Sequence, residues 1–255
     1  MSTDEDKRAR AERLAFFLLK AVNKAIRIYD LIADGDHIAL ALSGGKDSRC
    51  LAYLLRRRQE FARERYTLTA VHVLPSADAP CTGLEDPGEL RAWVQDLGIA
   101  FVEATMEAAS GTPARRAQSP CFYCAWRRRK ALFTKAQELG CNKLAFGHHS
   151  DDVAATTLLN LFYQGRLETM GPRASLFRGA LTLIRPLYLV PDKDITPLAR
   201  ALELPADGHS CPARATSKRR TMERVIRLVE KDYPKAKISL LRAVEREAVS
   251  KHTPV

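Results

Sequence analysis

His37-Ile-Ala-Leu-Ala-Leu-Ser-Gly-Gly-Lys-Asp-Ser48 is the stretch from which the fold can be read. His37 to Leu42 is short and mostly apolar, it ends at once in two glycines, and from Cys50 to Arg63 apolar residues return at helical spacing. The order is strand, glycine loop, helix. A nearly continuous apolar strand has both faces buried, which points to a parallel sheet. Working outward, short apolar runs at Leu68 to Leu74, Ala100 to Ala104 and Lys143 to Gly147 alternate with helix-like stretches at Gly88 to Leu97 and Ala125 to Leu139. This alternation predicts an α/β fold, a doubly wound parallel sheet covered on both faces. A helix over about Arg8 to Tyr29 precedes it, with Leu14, Phe17, Leu18, Ala21, Val22, Ala25 and Ile26 on one face. After Phe162, Gly165 to Gly179 reads as a long loop, and Ala180 to Leu189 is an apolar segment whose strand character Pro186 limits. Lys193 to Leu202 and Ser217 to Asp232 read as helices, and Pro234 suits the first turn of a last helix ending near Ser250. The predicted organisation is a helical segment at 1–34, an α/β domain at 35–190 and a helical extension at 191–255.

The chain has 255 residues, with 41 Lys and Arg against 30 Asp and Glu, a formal charge of +11. That length can bury a core without staples. A hydrophobic content of 46% argues against a disordered basic tail. The longest strongly apolar run, Leu14 to Leu19, is far short of a membrane span. MSTDEDKRARAERL lacks the order of a secretory leader, so the expected compartment is the cytoplasm, without a membrane partner. There the cysteines Cys50, Cys81, Cys121, Cys124, Cys141 and Cys211 point to metal or thiol chemistry more than to disulfides. The charge surplus favours an anionic partner without saying which.

In the glycine loop, backbone donors and a helix N-terminus converge on an anion. The Walker pattern fails because Leu40 stands where its first glycine is required, and there is no G-x-G-x-x-G. A compact anion nest remains. Gly44 and Gly45 let the backbone approach phosphates, Ser43 and Ser48 offer hydroxyls, Lys46 adds a positive charge, and Asp47 can help to hold magnesium. The loop resembles that of the PP-loop ATP pyrophosphatases, in which SGGKDS binds the pyrophosphate part of ATP and cleavage falls between the α and β phosphates.

Gly147-His-His-Ser-Asp-Asp152 follows an apolar run and precedes a helix that contains Thr156 to Tyr163; Ser150 or Asp151 suits its N-cap. In a doubly wound sheet this loop and the glycine loop face one crevice. Lys193, in Pro191-Asp-Lys-Asp194, is placed either to reach the same crevice or to decorate a surface turn.

Cys121-Phe-Tyr-Cys124 precedes the predicted helix at Ala125 and the basic run Arg127 to Lys130. Alone, the pair is equally a redox dithiol, a zinc half-site or an iron-sulfur half-site. Cys211, far downstream in His209-Ser-Cys-Pro212, can fold back as a third thiol; Cys50 and Cys141 fall in apolar segments and read as core residues.

Taken together, these motifs resemble the TtcA and TtuA group of tRNA thiolases, and TtcA-like 2-thiocytidine synthetases in particular. The similarity extends over Ser43 to Ser48, Pro120 to Cys124, Gly147 to Asp152, Leu159 to Tyr163, Ile184 to Leu187, Lys193 to Ile195 and Tyr233-Pro234. It implies a 4Fe-4S cluster on Cys121, Cys124 and Cys211. Where some members carry a second C-x-x-C, this chain has Gly208-His-Ser-Cys211, which leaves His209 as a fourth ligand of a closed zinc site an open alternative. It implies ATP and magnesium at the glycine loop, with Gly147 and His148 near the adenosine, His72 and Val73 at the adenine, and Asp151 or Asp152 near the phosphates. Lys46, Asp47 and Asp151 are then the catalytic candidates.

The implied reaction is adenylation of a base carbonyl with loss of pyrophosphate, followed by sulfur insertion to give 2-thiocytidine in the anticodon loop. The partners are tRNA, guided by Arg127 to Lys130 and Lys218 to Arg220, and a sulfur donor such as a cysteine desulfurase or free sulfide; a homodimer is compatible. The alternatives are a 2-thiouridine synthetase or other PP-loop sulfurtransferase, and a zinc-stabilised, non-catalytic RNA- or nucleotide-binding protein.

Overall fold

The computed structural model describes residues 4–76, 87–108, 120–204 and 218–250. In chain order the elements are α1 (Asp4–Tyr29), β1 (His37–Ala41), α2 (Lys46–Arg58), β2 (Thr67–Leu74), α3 (Gly88–Asp96), β3 (Ala100–Thr105), α4 (Pro120–Glu138), β4 (Lys143–Ala145), α5 (Ser150–Gln164), β5 (Arg173–Leu176), β6 (Leu181–Ile184), α6 (Asp192–Ala201), α7 (Lys218–Asp232) and α8 (Ala236–Ser250). The sheet runs β3-β2-β1-β4-β6-β5, all parallel except β5, which pairs antiparallel with β6.

Successive strand residues point to opposite faces, and β1 shows this directly. Ile38 and Leu40 enter a core shared with Val22 of α1, Leu54 of α2 and Leu198 of α6. Ala39 faces the other way, into a core with Val71, Val73 and the α4 residues Cys124, Leu132 and Ala136. Both faces are therefore covered, as the unbroken apolar strands predict. A third cluster joins Ala154 and Ala155 of α5 to Met222 and Ile226 of α7. No helix among the described residues is long and apolar enough to cross a membrane.

Four boundaries differ from the sequence reading. The second helix starts at Lys46, so the glycine motif is half loop and half first turn. Helix α4 starts at Pro120, ahead of the expected Ala125, because proline is pre-organised for a first helical turn; the cysteine pair lies inside the helix. The expected loop from Gly165 to Gly179 contains β5, whose Arg173, Ala174 and Ser175 are exposed and so show no alternation. Pro234 lies in the turn before α8, where the Ala236 N–H donates to the Tyr233 carbonyl at 2.9 Å.

Candidate active site

From β1 the chain moves through β2 to β3 on one side, while β4 lies on the other, so the carboxyl ends of β1 and β4 border a topological switch point. The glycine loop leaves β1 there. Gly44 has φ of +83°, a conformation that glycine adopts without penalty. Gly45 caps α2 in an extended conformation. Ser48 Oγ donates to the Gly45 carbonyl at 2.9 Å, accepts from the Ser43 N–H at 3.2 Å and lies 3.1 Å from Ser43 Oγ. The buried Arg49 clamps the loop from below, its Nε donating to the Gly44 carbonyl at 3.1 Å. These bonds fix the shape of the loop within the chain itself.

The loop after β4 is seated on the glycine loop. A Cβ at Gly147 would stand 2.9 Å from the Asp47 carbonyl carbon and 3.0 Å from the Ser48 nitrogen, so only glycine allows this approach. The His149 N–H then donates to Asp152 Oδ2 at 2.9 Å at the start of α5. The His149 side chain is 8% exposed, with Nε2 at 3.9 Å from Asp47 Oδ2, 3.7 Å from Asp192 Oδ1 and 3.6 Å from Asp152 Oδ2. Asp47, His149 and Asp192 each offer an atom within 4.8 Å of the others, a group able to hold a divalent ion.

Lys46 Nζ donates to Asp47 Oδ1 at 2.6 Å and also to Asp192. Burial alone would lower the Lys46 pKa, but the hydrogen bonds to Asp192 and Asp47 outweigh it and leave it raised. The C-terminal helices supply two more cations: Lys237 of α8 donates to Asp151 and Arg219 of α7 to Asp152. Asp151 Oδ2 also accepts from the Asp192 N–H at 2.9 Å. Burial would raise the Asp151 pKa; the Lys237 ammonium and the Asp192 N–H lower it overall.

His148 stacks on Phe146, with ring centroids 5.4 Å apart, and its Nδ1 accepts from Arg185 Nε at 3.3 Å. Burial, with help from the nearby Arg185, Arg219 and Arg129, brings its pKa down to about 4, so the ring is neutral at neutral pH and its proton sits on Nε2. His72 is buried, and its Nδ1 donates to the Leu42 carbonyl at 2.8 Å, which makes its side chain a support for the glycine loop. The Val73 side chain is in the core. Its backbone is placed differently: β1 stops opposite Val71, whose carbonyl accepts from Leu42, and the two-residue period turns Val73 N–H and C=O to that same vacated side.

Cys121 and Cys124 stand three positions apart, about one turn, at the start of α4. Cys124 is buried against the α4 core. The expected third ligand Cys211, its neighbour His209 and Cys81 lie outside the described residues. Cys50 and Cys141 are core residues as expected, their thiols pushed up to about 12 and about 11 by burial.

The basic runs divide. Arg127 is buried and donates to Ser76 and the Glu107 carbonyl, and Arg219 turns inward, while Arg129, Lys130, Lys218 and Arg220 are exposed. Lys193 is exposed; its neighbour Asp192 is the residue that enters the crevice. The sequence reading gave no site role to Asp192, His149, Arg185 or Lys237, and it set Arg219 in an RNA-guiding run, whereas its side chain turns to Asp152. Asp192, His149 and Arg185 lie within or beside motif segments; Lys237 has no such signal.

The PP-loop domain family model matches residues 18–205. A tRNA-cytidine(32) 2-sulfurtransferase of Geobacter sulfurreducens is 40% identical over 88% of this chain and 87% of its own length. One from Citrifermentans bemidjiense is 37% identical over 91% of each chain. Among solved structures, the U34-tRNA thiolase NcsA from Methanococcus maripaludis, with its 4Fe-4S cluster, superposes with a TM-score of 0.73 at 26% identity, over 96% of this chain and 81% of that one. With a glycine loop, a seated partner loop and a helix-borne cysteine pair at one sheet edge, and with relatives matched along nearly its whole length, the chain belongs to the PP-loop family and, within it, to the tRNA-cytidine(32) 2-sulfurtransferases.

Proposed function

We propose that this chain converts a tRNA cytidine to 2-thiocytidine at the expense of ATP, the reaction named for its relatives. The observation that carries this reading is the seating of Gly147 on the Asp47–Ser48 peptide, which makes the phosphate nest and the α5 carboxylates two walls of one crevice. In it, the backbone of Gly44 and Gly45 and the hydroxyls of Ser43 and Ser48 bind the phosphates, while Lys46 moves from Asp192 onto the departing pyrophosphate. Val73 N–H and C=O take the adenine edge, and His148 donates from Nε2 to the adenosine. The Asp47 and Asp192 carboxylates fit magnesium, a hard ion that takes oxygen ligands, and His149 stands beside them; when bound, the ion would neutralise phosphate charge. Asp151, held as a carboxylate by Lys237, positions the start of α6 and so Asp192; Asp152 does the same for the His149 backbone.

The base carbonyl is a poor electrophile. Its oxygen attacks the α-phosphorus, the bond from that phosphorus to the bridging oxygen breaks, and pyrophosphate leaves. Sulfide then attacks C2, the C2–O bond breaks and AMP departs. Lys46 offsets the charge of the first step. A pair of soft thiols at a positive helix end fits an iron-sulfur cluster, with Cys211 as the third ligand. When bound, that cluster would supply the site from which sulfide is delivered, loaded by free sulfide directly or, from a cysteine desulfurase, by persulfide sulfur that a thiol reductant has first brought to sulfide with two electrons.

Anaerobic incubation with ATP, sulfide and tRNA, followed by nucleoside mass spectrometry, tests the reading. 2-Thiocytidine with matching AMP and pyrophosphate is expected. 2-Thiouridine, or a zinc-bound protein without iron that forms no thionucleoside, refutes it.

A further inference from the structure

Helix α4 carries an outward stripe that neither the nucleotide crevice nor the cysteine pair uses. Tyr123 and Trp126 stack with centroids 6.0 Å apart and planes at 17°, and Trp126 is 49% exposed. One turn on come Arg129 and Lys130, both exposed, with Lys130 reaching Glu107 at 2.6 Å. The next turn brings Phe133, against which Phe177 packs edge-on at 5.9 Å. Phe177, 51% exposed, and Arg178 form the turn between β5 and β6, both with positive φ, +51° and +57°. Non-glycine residues pay for that conformation, and here it holds an aromatic ring and a guanidinium at the surface. Arg129 and Arg178 make no ion pair among the described residues.

From Tyr123 to Phe133 the stripe runs about 15 Å at 1.5 Å per residue. It starts beside Cys124, and the positive charge of Arg129 is felt by the His148–Arg185 pair, whose pKa values burial above all, and Arg129 in smaller part, lower. Aromatic faces separated by cations suit unstacked bases joined by phosphates. A surface built for a second copy of the chain would have an apolar centre depleted of charge, and this one has three cations.

We propose that Trp126 and Phe177, with Arg129, Lys130 and Arg178 between and beside them, are the platform on which a single-stranded RNA loop stacks as its base is presented to the crevice. This rests on the tRNA-thiolase reading for the nature of the RNA, but not for its binding.

The test is the affinity of the full-length protein for a labelled anticodon stem-loop. Trp126→Ala should raise Kd roughly 5- to 100-fold, as loss of one stacked base does, and Trp126→Phe should restore most of it. Arg178→Glu, on an exposed turn remote from the core, should weaken binding and lower the salt slope by about one. ATP affinity should stay at the wild-type value in all three, and the melting temperature in Trp126→Phe and Arg178→Glu. In a Trp93→Phe background the RNA should quench Trp126 fluorescence. Wild-type RNA affinity in both Trp126→Ala and Arg178→Glu overturns the platform, as does unchanged RNA binding accompanied by a shift in sedimentation. Nucleoside analysis of the wild-type reaction separates the two claims. RNA binding lost in the variants with no 2-thiocytidine formed sinks the substrate reading alone, whereas 2-thiocytidine formed with variant affinities unchanged sinks the platform alone.

Discussion

Replacing Gly147 by alanine perturbs the contact on which the crevice depends. The added Cβ would stand 2.9 Å from the Asp47 carbonyl carbon, 3.0 Å from its oxygen and 3.0 Å from the Ser48 nitrogen. Carbon atoms settle at about 3.5–4.0 Å, so the two loops must part by roughly 0.6–1 Å. All three obstructing atoms are backbone, and none can rotate aside. Overpacking of this kind costs about 1–3 kcal/mol, which in a chain of this size lowers Tm by roughly 2–12 °C. The effect on chemistry should be larger, because a displacement of about 1 Å at a reacting centre can cost ~100-fold. We expect kcat/KM for tRNA-dependent pyrophosphate release to fall about 10- to 100-fold, with ATP affinity weakened in parallel. The control is Ile38→Val in the fully buried β1 core, which costs about 0.5–1.5 kcal/mol without touching either loop, and which should bind ATP as the wild type does. Wild-type ATP affinity and pyrophosphate release in Gly147→Ala would refute the reasoning.

Asp192→Ala removes a carboxylate from both Lys46 and the Asp47–His149 pair, so the affinity for Mn2+-ATP, read by isothermal titration, should drop about tenfold or more; an unchanged value would show that Asp192 only decorates the rim. Lys237→Met leaves Asp151 half-buried without its ammonium and should cost about 1–3 kcal/mol at neutral pH. Because the folded pKa of Asp151 lies below its ordinary 3.8, the stabilisation it reports is present above that value and lost as pH falls through the folded pKa. Denaturant titrations of wild type and Lys237→Met should accordingly differ at pH 7 and converge in acid; a constant gap would point to packing instead. Cys50 and Cys141, whose thiols are pushed up to about 12 and about 11, should escape iodoacetamide at pH 8 in the native state and react on unfolding, and rapid native labelling of either would contradict their burial.

The glycine loop was legible in the chain because its chemistry is local: glycines, hydroxyls and an ammonium within six consecutive positions at a strand end. The parallel strands were legible because burial on both faces writes an unbroken apolar run. Strand β5 was not, since its Arg173, Ala174 and Ser175 are exposed and it is held by pairing to β6. The boundary of α4 was misplaced because a cysteine pair looks like a loop, whereas Pro120 makes it a helix start. In the basic runs, sequence cannot tell an Arg127 that enters the core from an Arg129 that faces outward.

Local sequence sets which groups are available: glycines, hydroxyls and an ammonium at Ser43 to Ser48, carboxylates opening α5, a cysteine pair opening α4, and a surplus of positive charge. How they meet depends on distant segments folding onto one another. That folding pairs Lys46 with Asp192 across 146 positions and Lys237 with Asp151 across 86. Such partners have no signature in the chain, because they meet only where the sheet reverses its strand order and the carboxyl ends of β1, β4 and β6 open on one crevice. There burial makes each unpaired charge costly, so the cations of α7 and α8 are drawn onto the carboxylates of α5.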